Sequence, residues 1–317
     1  MTRWPNHADA WRQWREALSG DRMHHGWLLA GKAGLGKRDF ALAAARELVA
    51  QDGIPQPQDH PDIHIVTYSA KDDKEERKRQ DGKPFELSKV IRERDVGAMQ
   101  ARLRTRPTLG SRRAIIIEPA DDMNQHAANK LLKSLEEPPA GTFFLLVTHR
   151  PARLLPTIRS RCRIMRFPAL SDRQLATMLE EAGVSPDPDA IAAAEGSFGA
   201  ALRFAEQDLA PIARIIEQML QGGEEGFGQR GELARLIGPR ADRERMQAVL
   251  ELAQALTARA ARESDDSARR LRLIDAHGAL ARLAAEAPTA NFDAGILLFE
   301  IGGLLVGAAP ASEPAHG

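Results

Sequence analysis

Residues 31–38 read GKAGLGKR, set between an apolar run, Trp27-Leu28-Leu29-Ala30, and a helical run from Asp39 to Ala50. The order strand, glycine loop, helix constrains the fold more than any other stretch, because it is the setting a phosphate-binding P-loop requires. Gly31, Gly34 and Gly36 let backbone N–H groups curl round a phosphate, and the helix N-terminus adds partial positive charge. Lys37 stands where such a loop's lysine reaches the outer phosphates. The next position calls for a Ser or Thr hydroxyl to hold magnesium. Here it is Arg38, which offers a metal no acceptor. A guanidinium ~4 Å from a divalent cation is repelled by several kcal/mol even at an effective dielectric of about 20. The loop therefore predicts the shape of a nucleotide site that lacks one working part. The plainer alternative is a glycine turn that only opens a helix.

A chain of 317 residues has room for two or three domains and a sizeable core. Lys and Arg total 44 and so do Asp and Glu, so bulk charge does not announce nucleic acid and any basic face must be local. A single cysteine, Cys162, excludes an internal disulfide and a cysteine-rich zinc site. The N-terminus has no apolar core suited to a signal peptide. The longest apolar run, Ala294 to Ala309, is shorter than the ~20 residues of a membrane span and carries Glu300. A cytoplasmic protein is the expectation.

Trp4, Trp11, Trp14 and Leu18 recur at helical spacing, as a core-facing stripe does, with Asp9 placed to help cap that helix. Ile63 to Tyr68 is β-rich and predicts a second strand. Ser69 to Phe85, SAKDDKEERKRQDGKPF, has almost nothing to bury and is expected to be a flexible, solvated loop, a disordered insertion rather than a binding arm. Ser88 to Arg104 has the pattern of an amphipathic helix with Ser88 as N-cap. Arg102, Arg104, Arg106, Arg112 and Arg113 then cluster, either as a solvated helix end or as a phosphate-contacting patch.

Buried strands are expected at Ala114–Ile117 and Thr142–Thr148 and a last strand at Arg163–Phe167, with a helix from Asn124 to Glu137 and a short helix or turn at Pro156–Arg161. Strands alternating with helices imply a parallel sheet covered on both faces, with ligands at the strands' carboxyl ends. The loop, Glu118, Thr148 and the Ser160-Arg161 turn all fall at strand ends or just beyond. After Pro168 the β signals stop. Three short helices (Ser171–Ala182, Pro188–Glu195, Ser197–Gln207) precede about five antiparallel ones beyond Pro211, broken at Gly222-Gly223, Gly238-Pro239, near Ser264–Ser267 and at Pro288. The tail from Ala308 to Gly317 is expected to be disordered.

Three stretches together resemble the AAA+ clamp-loader subunits of bacterial DNA polymerase III: HHGWLLAGKAGLGK (24–37), AANKLLKSLEEPPAGTFFLLVT (127–148) and TIRSRC (157–162). The likeness implies an α/β fold: a RecA-like AAA+ parallel-sheet domain over 1–168, a three-helix lid over 169–207 and an all-α oligomerising collar over 208–317. An active loader ATPase carries Asp then Glu after its Walker B strand, where this chain has Glu118 and Pro119, and proline cannot act as a base. The family's lid arginine falls near Gly199, where no arginine stands. Thr148 matches a sensor position.

With Arg38, these changes resemble the family's non-hydrolysing stator subunits. The alternative is an ATP-hydrolysing gamma/tau-type subunit. The SRC motif, Ser160-Arg161-Cys162, survives, and in the family its arginine acts in trans as a finger on a neighbour's ATP. Arg161 capping its own short helix is the local alternative. The implied partners are gamma/tau and delta subunits, the sliding clamp and, through the complex, primed DNA. No cofactor is required by this reading, and Lys37 leaves room for weak ATP binding. Many relatives hold zinc through cysteines between the loop helix and the second strand, but His60 and His64 alone cannot make that site. Asn129, Lys130 and Lys133 lie where family members face DNA, or are ordinary surface residues.

Overall fold

The computed structural model describes residues 4–20, 23–51, 53–222, 227–238, 243–286 and 294–310. The chain divides after Ala169 into two compact units. In the first, α1 (Ala8–Ser19), β1 (Gly26–Ala30), α2 (Lys37–Val49), β2 (Ile63–Val66), α3 (Asp73–Gln80), α4 (Glu93–Arg102), β3 (Arg113–Ile117), α5 (Gln125–Glu136), β4 (Thr142–Thr148), α6 (Pro156–Ser160) and β5 (Arg163–Arg166) follow in order. The strands form one sheet in the order β2-β3-β4-β1-β5, and each pairing is parallel.

The sheet is covered on both faces at its centre because β1, β3 and β4 are apolar at odd and even positions alike, while the edge strands β2 and β5 are partly exposed. Leu28, Ile115, Ile117, Phe144 and Leu146 point to the face under α4, α5 and α6. Trp27, Leu29, Ile116, Leu145 and Val147 point to the other, where Trp14 of α1 and Phe40 of α2 cover them. The alternation is the strand's own period of two. The expected helix after β3 is α5, capped by Asn124, whose Oδ1 accepts from Ala127 N.

Several expectations are corrected. Residues 69–85 are ordered. Asp72 caps α3 by accepting from Glu75 N, and the Glu75 carboxylate binds both Lys78 Nζ at 2.7 Å and Glu86 N at 2.8 Å. An isolated bridge pairs Ala70 with Leu87. The segment is held by charge and local hydrogen bonds, which an apolar pattern does not display. Ser88 caps no helix: its hydroxyl donates to Val90 O, and α4 begins five residues later, where the Asp95 carboxylate accepts from Arg92 N at 2.7 Å. Asp9 lies in the first turn of α1 without a capping bond and pairs with Arg12 at 2.8 Å.

The arginine cluster does not act together. Arg113 is buried, donates to the carbonyl oxygens of Arg102, Thr105 and Arg106, and lies 3.9 Å from Asp62. Burial alone would raise the Asp62 pKa, but Leu109 N, Thr108 N and Arg113 hold it below the usual range. Arg113 is thus structural and unavailable to a phosphate.

The second unit contains α7 (Asp172–Glu181), α8 (Pro188–Ala194), α9 (Phe198–Glu206), α10 (Ala210–Gly222), α11 (Gly228–Ile237), α12 (Arg243–Glu263), α13 (Ser267–Glu286) and α14 (Ala294–Gly307). Side-chain caps start several of them: Ser171 on α7, Asp187 on α8, Ser197 on α9 and Asp266 on α13. Three residues join α12 to α13, which pack together and therefore run antiparallel. Ala190 and Phe204 share one core with Leu209, Ile212, Leu250 and Leu280, so packing is continuous across residues 207 and 208. Ala308 and Ala309 belong to this unit's buried residues, while 311–317, Gly223, Pro239 and Pro288 lie outside the described residues. No helix among the described residues is long and apolar enough to cross a membrane.

Arg113→Lys should lower the urea-derived unfolding free energy by about 1–3 kcal/mol, since an ammonium cannot serve three carbonyls and Asp62 at once. A change below about 0.5 kcal/mol would contradict the structural role assigned to the fork.

Candidate functional site

Parallel pairing puts the carboxyl ends of β3, β4 and β1 side by side, and the P-loop leaves from β1. Gly31 N donates to Thr148 O at 3.3 Å, tying the start of the loop to the end of β4. Gly34 and Gly36 have φ of 73° and 70°, which L side chains rarely adopt, so the turn into α2 requires glycine.

The groups that would recognise phosphate and metal are already engaged within the chain. Lys37 is buried, and its Nζ donates to Gly31 O at 2.7 Å and to Lys32 O. Burial pulls its pKa down to about 8, against the attraction of Asp121 and Glu118. Arg38 reaches across to Glu118, with Nη1 3.3 Å from Oε2. That oxygen is buried and has no hydrogen-bond partner in aligned geometry. Burial raises the Glu118 pKa, only partly offset by Arg38 and Lys37. Pro119 follows and brings neither a base nor a metal ligand.

Two residues that the sequence reading passed over stand beside the ends of β3 and β4. Asp121 accepts from His149 N at 2.9 Å and from Arg150 Nε at 3.3 Å. Burial would raise its pKa, but the hydrogen bond from His149 N above all holds it low. Thr148 is fully buried, and its Oγ1 makes no aligned hydrogen bond. His149 is driven down to about 4 by burial first and by Lys37 second, so it is neutral near pH 7. Its Nδ1 is also buried and unpartnered. Arg150 bridges to Asp122 as well, at 3.1 Å, and Asp122 accepts from Tyr68 OH at 2.5 Å. Their signal in the sequence was position alone: Asp121 three residues after the strand-end Glu118, and His149 directly after Thr148.

The residues do not suit a divalent cation. The ligand expected at position 38 is itself a cation, and it holds the one carboxylate that ends β3. No group of three His, Cys, Asp or Glu among the described residues converges as a metal site. His60 Nδ1 accepts from Asp62 N, and His64 Nδ1 faces Arg102 at 3.3 Å.

The SRC residues are elsewhere. Ser160, Arg161 and Cys162 precede β5, so they lie at the amino edge of the sheet, opposite the loop. The Arg161 carbonyl oxygen stands 3.0 Å from where a Cβ on Gly26, the first residue of β1, would sit. Five residues of β1 separate the two edges, roughly 15 Å at ~3.3 Å per residue. Arg161 is partly exposed, pairs with Glu136 Oε1 at 2.8 Å and donates to Thr157 O at 3.0 Å. The local capping contact is therefore present. Ser160 Oγ also donates to Thr157 O. Burial pushes the Cys162 thiol up to about 12, which leaves it unreactive. On α5, Lys130 is bound to Glu93 at 3.0 Å, while Asn129 and Lys133 are exposed. Gly199 lies in α9, whose Arg203 pairs with Glu251 at 2.9 Å.

A family model described as DNA polymerase III, delta subunit, matches residues 6–171, over half of the chain. A DNA polymerase III subunit delta' from Bacillus subtilis is 33% identical over 182 residues, covering 54% of this chain and 50% of its own. One from Pseudomonas aeruginosa is 36% identical over 167 residues, covering 47% and 46%. The chain thus spans about half the length of the curated relatives it matches. A solved DNA polymerase III gamma subunit-related protein from Thermotoga maritima covers 93% of this chain and 97% of its own at 18% identity, with a TM-score of 0.48.

The neutral His149 makes stability depend on pH in a defined direction. The native imidazole protonates near 4, against 6.5 when unfolded, so the unfolded chain takes up the proton first. Stability should fall as pH drops through that window, by about 1–2 kcal/mol near pH 5. Urea unfolding of wild type and His149→Gln at neutral and mildly acidic pH checks this: the wild type should lose that much more than the variant. Parallel profiles would contradict a buried neutral imidazole.

Proposed function

The chain belongs to the family described as DNA polymerase III, delta subunit, and from that premise we propose that it is a non-hydrolysing, stator-like subunit of a bacterial clamp loader. In this reading it joins gamma/tau and delta subunits in a ring that loads the sliding clamp on primed DNA, with residues 208–317 as the oligomerising collar. It is part of the polymerase III holoenzyme and supplies no polymerase chemistry of its own.

The observation that carries the reading is the placement of two arginines on opposite edges of one sheet. Arg38 stands in the chain's own site, where it neutralises Glu118 and leaves no seat for magnesium. Nothing at position 119 can take a proton from water. Arg161, roughly 15 Å away across the sheet, cannot reach that site and can act only on a phosphate held by another molecule. Its partial exposure and its exposed partner Glu136 allow this, because a phosphoryl oxygen can replace the carboxylate in a bidentate pair. On the neighbour, the guanidinium offsets charge that builds on the transferring phosphoryl group. Such fingers are worth ~10³–10⁵ in rate.

Arg161→Ala should leave ring assembly intact and lower the DNA-stimulated ATPase of the reconstituted loader at least about tenfold. Arg161→Lys should recover little, because an ammonium lacks the fork. Unchanged turnover with either variant would remove the arginine-finger role.

A further inference from the structure

Trp4 rests directly on the P-loop. A Cβ placed on Gly36 would come within 2.1 Å of the indole Cε2 and 2.6 Å of Cζ2, so the ring lies against bare backbone. Its Nε1 donates to Asp39 Oδ2 at 2.9 Å, in the first turn of α2. The ring stacks on His7, with centroids 5.4 Å apart and planes 11° from parallel. His7 Nε2 hydrogen-bonds Leu35 O at 2.8 Å, and Asn6 Nδ2 donates to Pro168 O at 2.9 Å. His7 also meets Phe40 and Phe167 edge-on. Residues 4–7 are therefore strapped across the loop, with fixings to Leu35, Asp39 and Pro168.

Glycine in a phosphate loop leaves the backbone bare so that a ligand can come close. Here the group that comes close is the chain's own indole. Lys37 is turned inward to loop carbonyls as well, and Arg38, with its side chain half exposed, reaches to Glu118. The site is nevertheless built for polar contents. At the adjoining ends of β3 and β4, His149 Nδ1 is buried without a hydrogen-bond partner, Glu118 Oε2 is buried with only the Arg38 ion pair at 3.3 Å, and the Thr148 side chain is wholly enclosed.

We infer that this loop is a nucleotide-phosphate site held shut from within by Trp4, and that with the indole displaced it admits a nucleoside di- or triphosphate without a divalent cation. Arg38 supplies, covalently fixed, the charge that magnesium would bring. The inference rests on the non-hydrolysing reading above and carries it from chemistry to binding.

Equilibrium dialysis of the full chain and its Trp4→Ala variant, with labelled ADP and ATP in EDTA or in magnesium, tests it. Trp4→Ala should bind at least about tenfold tighter than wild type. Its affinity should be equal or higher in EDTA. A folded Trp4→Ala chain that binds no better than wild type overturns the plug, and a requirement for magnesium overturns the role given to Arg38. If Trp4→Ala binds ATP and hydrolyses it, the plug stands and the non-hydrolysing reading fails. Hydrogen exchange at residues 34–39 of the unliganded wild type guards against a variant that does not fold. Those amides should be protected under the ring, and fast exchange there overturns the inference.

Discussion

β1 hydrogen-bonds β4 on one side and β5 on the other, parallel to both, and is buried along its whole length. Parallel pairing gives the sheet two chemically distinct edges. At the carboxyl edge, the P-loop leaves β1 between the ends of its neighbours, so Glu118, Thr148 and His149 gather round it. At the amino edge, the turn before β5 brings Arg161 beside the start of β1. The separation of the two arginines follows from strand direction and strand length. It does not depend on any one side-chain contact.

The carboxyl-edge site is an electrostatic arrangement closed on itself. A working nucleotide site needs a cation that arrives with the ligand and can leave with it. This one has a cation tethered to the backbone one residue after the loop lysine. Arg38 offsets the Glu118 charge, the Lys37 ammonium is engaged by loop carbonyls while burial lowers its pKa, and Asp121 is satisfied by the His149 N–H and Arg150. The frame needed to hold phosphate survives because it is made of glycine geometry and strand order. The chemistry proposed to be lost rests on two or three side chains.

The same division decides how much was legible in the sequence. Strands buried on both faces and capped helices announce themselves through apolar runs and through Ser, Asp and Asn at helix starts. The five-strand sheet and the helices of the second unit could therefore be read ahead. The glycine loop and the strand-end places of Glu118 and Thr148 were legible too, since motif spacing fixes them. Residues 69–85 were misread because Glu75, Lys78 and Glu86 order them through charge rather than burial. Arg113 hid among four other arginines, and only the fold reveals that it is buried. Asp121, His149 and Trp4 reach the site through turns and a strap that carry no periodic signal. Trp4 in particular was assigned to a helix stripe, whereas it lies ahead of that helix, over the P-loop.

The central claim is that an intact phosphate cradle has lost the metal and the base it needs to cleave ATP. Steady-state phosphate release by the purified chain alone, in magnesium and saturating ATP, tests this most directly. The account predicts release indistinguishable from a protein-free control, and sustained turnover abolished by Lys37→Ala would contradict it.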